Sequence, residues 1–163
     1  MGIEFHTLPQ PDEISAREKE DATGAYLMMF ASTAIGLPLP IINIIASIVY
    51  YFVNRTKGRF VNFHALQSLY SQIPVSLLNS YVVIWAAVNI VIKKNPFTNV
   101  FWGLLITAGI ITIVYFIFSI IGAVRAHQGR FYYFIFFGRL AYYQVFRKRN
   151  EIPTSFENKP PAF

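Results

Sequence analysis

The chain has 163 residues and a net charge of +6, with 13% charged, 55% hydrophobic and 17% aromatic residues. The charged share is about half that of an ordinary soluble domain, which excludes that class, and the absence of cysteine excludes a disulfide framework or a thiolate metal site. Ala22–Asn54, Phe60–Ile92 and Asn95–Val124 contain no Asp, Glu, Lys or Arg, and each exceeds the roughly 18 uncharged apolar residues that mark a membrane-crossing candidate.

The predicted class is therefore an all-α multi-pass membrane protein. It has three to four transmembrane helices, a proline-broken first helix and an amphipathic interfacial segment. Residues 1–21 form a polar, acid-rich tail, with six acids against Arg17 and Lys19, and do not read as a secretory signal, which needs a basic start and then an apolar core. Met1–Ile14, with Pro9 and Pro11, is expected to be mobile. Ser15 and Glu18 have the spacing of a capping box, so a helix starts there.

The membrane domain is expected over residues 22–146. Its first apolar run, about 22–53, is interrupted by Pro38 and Pro40, each of which removes a backbone donor. The two pieces would be about 21–24 Å long at 1.5 Å per residue, short of a core of about 30 Å. They form either one kinked crossing or a re-entrant pair of half-helices.

A basic turn follows, with Arg55, Lys57 and Arg59. Phe60–Ile92 would be about 50 Å long as a single helix, and Pro74 divides it into an amphipathic interfacial segment and a crossing over about 74–92. A further crossing over about 97–124 starts at "NPF", with Pro96 suited to a first helical turn.

Residues 130–146 are rich in Phe and Tyr but interrupted by Arg139. Arginine deep in a bilayer costs at least about 2.5 kcal/mol. An interfacial helix is therefore favoured over a short fourth crossing, with Arg125, Arg130, Arg139, Tyr132 and Tyr133 at the headgroups together with Arg55, Lys57 and Arg59. Residues 147–163 are a basic and then disordered tail. With three crossings, Lys and Arg divide ten against four, which places the Arg55–Arg59 turn in the cytoplasm; with four the division is eight against six. A re-entrant first segment would put the N-terminus inside as well.

On a helical wheel, His64, Gln67, Ser68, Ser71, Gln72 and Asn79 share an arc of about 140°. This polar seam either bonds neighbouring helices, as such residues commonly do in membranes, or faces a partner, a cavity or a substrate. His64 and His127 lack the carboxylate or cysteine companions of a metal site, so no metal or cofactor is expected. No base accompanies the serines in the apolar runs, and no catalytic residue is assigned. The arginine-aromatic mixture after Val124 directly follows a crossing, so its anion is a lipid headgroup rather than a nucleic acid.

The order "Pro38-Leu39-Pro40", basic turn, "FVNFHALQSL" and "AHQGRFYY" resembles an uncharacterised family of small bacterial multi-span membrane proteins. That family is similar to the twenty-kilodalton inner-envelope subunit of the chloroplast protein import machinery. The resemblance covers about residues 25–141 and implies a non-enzymatic multi-pass subunit of a bacterial inner-membrane assembly. Protein translocation or membrane-complex assembly would be its work, with lipid and other membrane subunits as partners. The alternative is a small pore or transporter lined by the polar seam.

Overall fold

A computed structural model describes residues 4–31, 39–94 and 96–148; among these, four α-helices pack on a fifth, long central one. Helix α1 covers Ala16–Leu27 and tightens into a 3₁₀ turn at Met28–Phe30. Its start is the expected capping box: Ser15 Oγ accepts from Glu18 N at 3.2 Å, and the Glu18 carboxylate accepts from Ser15 N at 3.0 Å. Ser15→Ala should cost about 1 kcal/mol and show as faster hydrogen exchange at the Glu18 amide, with exchange beyond Leu27 unchanged.

Pro40 opens α2, Pro40–Asn54, at the first helical position, where its missing N–H would have had no partner. The break expected at Pro38 lies outside the described residues. α1 and α2 are antiparallel. Tyr50 Oη donates to the Asp21 carbonyl at 2.7 Å, and Lys57 pairs with Asp21 at 2.9 Å. The start of α1 thus sits beside the end of α2. The two described pieces of the first apolar run therefore lie side by side rather than end to end.

Gly58, with φ +150, turns the chain into α3, Arg59–Ala87, which continues to Lys93 with a π-helical last turn. This corrects the expected division at Pro74, which lies inside an unbroken helix. An interior proline costs about 3 kcal/mol. Here the helix is held on both sides of it, by α1, α2 and the C-terminal segment before Pro74 and by the next long helix beyond it. Phe60–Gln72 is largely enclosed by protein: Phe60, Val61, Phe63, Ala65 and Leu66 are buried together with His64, Gln67 and Ser68, while Asn62 is half-buried.

α4, Asn99–His127, starts later than expected from Pro96, because Thr98 provides the N-cap by accepting from Phe101 N at 3.3 Å. α4 returns antiparallel to α3, with Asn79 Nδ2 donating to Thr112 Oγ1 at 2.8 Å midway and Trp85 against Phe101 further on. Only Arg59–Lys93 and Asn99–His127, among the described residues, are long and apolar enough to cross a bilayer; α2, with 15 residues, is not.

Residues 131–136 are not helical, and α5 covers only Phe137–Phe146. The expected single helix over 130–146 is therefore an irregular stretch, 131–134, with a turn at 135–136, and then a short helix. Within Met1–Ile14, expected to be mobile, residues 4–6 are tied to the end of α5. His6 N donates to the Phe146 carbonyl at 2.8 Å, Lys148 N to the Glu4 carbonyl at 2.9 Å, and Phe5 stacks on Tyr142 at 5.2 Å.

Apart from Lys93 and Lys94, every described lysine and arginine falls on the elements gathered around the Arg59 end, here called the near end. Outward-facing side chains along α2, α3 and α4 are apolar: Ile45, Val49, Val53, Ile84, Ile106, Ile113 and Ile117 are all exposed. The polar groups lie inside. This inverts the soluble pattern and fits helices solvated by hydrocarbon.

A candidate functional site in the polar seam

The seam begins from a packing fact. α1 approaches α3 and α4 closely because the contact is built of small residues: Ala22 and Ala25 on one side, Ser119, Gly122 and Ala126 on the other, all buried. Small residues at such spacings let helix backbones come together where water supplies no driving force. A Cβ added at Gly122 would lie 2.8 Å from the Tyr26 ring. This close approach brings Tyr26, 1% exposed, to the polar face of α3.

There a hydrogen-bond chain forms. Gln67 Nε2 donates to Tyr26 Oη at 2.8 Å, and Tyr26 Oη lies 2.8 Å from His64 Nδ1. The phenol oxygen accepts from Gln67, and which of Tyr26 Oη and His64 Nδ1 donates to the other follows from the imidazole tautomer. Nε2 is buried with no hydrogen-bond partner among the described residues. The imidazole is enclosed by aromatic rings: Phe60 at 4.5 Å, Phe63 at 5.1 Å, and Phe131 stacked at 5.8 Å.

Gln67 does a second thing. Its Nε2 also donates to the Tyr132 carbonyl at 2.9 Å, and its Oε1 accepts from Phe134 N at 3.2 Å. Both backbone groups belong to the non-helical stretch 131–136, which has no helix to pair them. In a membrane an unpaired backbone group costs several kcal/mol, so non-helical chain persists only where protein satisfies it. One amide side chain thus stands in for the missing secondary-structure bonds. Gly138 permits this, since a Cβ there would lie 2.6 Å from Gln67 Oε1 and 2.7 Å from Tyr133 Cα.

The remaining predicted residues divide between two helices. Ser68 Oγ donates to the Ala25 carbonyl at 2.8 Å, tying α1 to α3, and Ser71 Oγ donates back to the Ser68 carbonyl at 2.9 Å. Ser47 Oγ on α2 donates to Gln72 Oε1, leaving Gln72 Nε2 buried and unpaired. Asn79 is separate, half-buried against Thr112 on α4. The structure therefore brings His64, Gln67, Ser68 and Ser71 into one cluster with Tyr26, places Gln72 on its α2 side and leaves Asn79 apart.

The interfacial set is arranged as follows. Arg55, Lys57, Arg59, Arg125, Arg130, Arg139 and Tyr133 are exposed; Tyr132 is half-buried. Arg55 lies over the Phe52 ring at 4.9 Å. His127, at the exposed end of α4, takes no part in the His64 cage.

Sequence reasoning missed Tyr26, Ser47, Tyr115 and Ser119. The Tyr115 hydroxyl lies near those of Ser68, Ser71 and Ser119, though not within a well-formed bond. The available signal was the small-residue spacing of Ala22–Ala25 and Gly122–Ala126, which marks a tight helix contact and so points to the aromatic residue beside it.

Residues 20–141 match the MamF/MmsF family model, described as the magnetosome magnetite crystal formation protein family. No curated protein and no solved structure matches. The match replaces the expected likeness to the chloroplast import subunit and removes the expectation of protein translocation that rested on it. "FVNFHALQSL" and the basic turn before it are segments of the matched region.

Proposed function

The chain belongs to the MamF/MmsF magnetosome magnetite crystal formation family, and from that premise we propose that it is a non-enzymatic integral component of the membrane in which magnetite forms. The observation that carries the reading is the inverted surface, apolar outside and polar inside, of the body that the family match covers. The membrane domain is residues 22–146. α3 and α4 cross the bilayer, while α1–α2 and 131–146 enter it from the near end and return.

The positive-inside rule then places the near end, with the basic turn, in the cytoplasm and the Lys93–Lys94 turn on the opposite side. Both ends of the described chain share the cytoplasmic side. Arg55, Lys57, Arg59, Arg125, Arg130 and Arg139 meet anionic headgroups, each worth about 1 kcal/mol near such a surface. The polar seam is an internal clamp rather than a pore lining, because Gln67 commits its carbonyl and both N–H groups within the chain.

The test is made in a magnetite-forming host that produces the chain in tagged form. Density-separated, magnetite-bearing membranes should be enriched in it. Its deletion should shift the distribution of crystal sizes, and the unaltered gene should restore that distribution. Even spread over all inner membrane together with unchanged crystals would overturn the reading.

A further inference from the structure

The body is thick at one end and thin at the other. Position along α3 gives a common scale. Ala25 bonds at Ser68, so α1 reaches the level of about Ser71–Gln72 by Phe30, which packs on Phe116 of α4 at 5.6 Å. Ser47 meets Gln72, which puts the start of α2 near the level of Asn79 at 1.5 Å per residue. Phe134–Phe137 line an apolar groove of about 500 Å³ with Ser71, Pro74, Leu78 and Ile110. α5 then climbs back, with Tyr70 Oη donating to Gln144 Oε1 and Phe146 reaching Phe63.

All of these elements lie between the levels of Phe60 and Asn79. Beyond Asn79, among the described residues, only α3 and α4 continue. They pack on each other through Val82, Phe101 and Ala108, while Ile84, Ile90, Val91 and Val100 stay exposed.

We propose that this asymmetry makes the protein a membrane-curving element: it expands the near leaflet against the far one and is drawn to bilayers whose near leaflet is convex. A helix about 10 Å across occupies about 80 Å² of membrane plane. α1, α2 and α5 therefore add on the order of 200 Å² to the near leaflet, with no counterpart in the far one among the described residues. A bilayer relieves such a mismatch by bending towards the crowded side, and one-sided insertion is curvature-sensitive for that reason.

The inference rests on the bilayer crossing proposed above. With the near end cytoplasmic, the favoured shape is a vesicle or bud whose cytoplasmic face is convex, and the chain would act on the shape of the compartment rather than on the mineral. Its described carboxylates agree with this division. Glu4, Asp12, Glu13, Glu18, Glu20 and Asp21 are all at the near end, whereas the described residues between Lys93 and Asn99 at the far end include none.

The experiment uses the cysteine-free full chain with Asp12→Cys, an exposed near-end position. It is dye-labelled and reconstituted in both orientations into giant vesicles of phosphatidylcholine and phosphatidylglycerol, from which narrow tubes are pulled. An impermeant quencher separates molecules with the near end outward from those with it inward. Outward molecules should be enriched severalfold in the tube over the parent vesicle, and inward molecules depleted. Equal tube densities for the two orientations would overturn the curvature proposal. Label that fails to enter the bilayer would instead overturn the crossing on which it rests, and the curvature proposal with it.

Discussion

Gln67→Leu is expected to lower the stability of the folded chain by about 3–5 kcal/mol, because it leaves the Tyr132 carbonyl and the Phe134 N–H buried without partners at about 1–3 kcal/mol each. It also removes the donor to Tyr26 Oη, and with it the order of the chain that ends at His64. In detergent the midpoint of thermal unfolding should fall by about 10 °C, at roughly 2–4 °C per kcal/mol for a chain of this size. Gln72→Leu is the matched comparison. Gln72 accepts from Ser47 and leaves its own amide nitrogen unpaired, so that change should cost about 1 kcal/mol. Equal losses from the two substitutions would show that Gln67 is ordinary helix packing and not the clamp of the non-helical stretch.

Gly138→Val should be the second most damaging single change described here. The new side chain meets Tyr133 Cα at 2.7 Å and Gln67 Oε1 at 2.6 Å, and the first of these is backbone that cannot rotate away. Overpacking of this kind costs about 1–3 kcal/mol. The loss should be local: α5 separates from α3, and cleavage by trypsin after Arg130 and Arg139 accelerates while the α3–α4 pair stays protected. Gly103→Val and Gly109→Val serve as controls, since a Cβ at either meets nothing within 4 Å. Those two should remain within about 0.5 kcal/mol of the parent, as surface changes usually do. If all three glycine variants unfold alike, the close approach at Gly138 is not what holds α5.

These two residues show where sequence reading reached and where it stopped. The helical wheel identified His64, Gln67, Ser68 and Ser71 as one face because a 3.6-residue period is a local property. It could not identify what that face meets. Gln67 bonds residues 132 and 134, about 65 positions away, in a stretch whose aromatic composition reads equally well as an interfacial helix. Local capping chemistry was legible for the same reason, as the Ser15–Glu18 box shows.

The path of the chain was less legible. Charge-free length measures how much chain lies in hydrocarbon but carries no direction, so Ala22–Asn54 fitted a kinked crossing and a re-entrant pair equally. Contacts between Asp21 and both Tyr50 and Lys57 lay the two pieces side by side, the arrangement that a re-entrant pair requires. Pro74 misled in the opposite sense. A proline signals the loss of one helical hydrogen bond, and packing along the rest of α3 outweighs it. Tyr26 escaped notice because an aromatic residue near a helix end has many roles; only the small residues around it, Ala22 and Ala25, single it out.

The return of α1 and α2 to the same end of the molecule underlies the proposed orientation, the clamp and the membrane-curving element alike. It is tested most directly by single cysteines at Asp12, Thr56 and Asn99, all exposed in a chain that has no cysteine of its own. Each is labelled with a membrane-impermeant maleimide in right-side-out and inverted membrane vesicles. Positions 12 and 56 should react from the same, cytoplasmic side and position 99 from the other. Labelling of positions 12 and 56 from opposite sides would mean that the first apolar run crosses the membrane, and would contradict the fold described here.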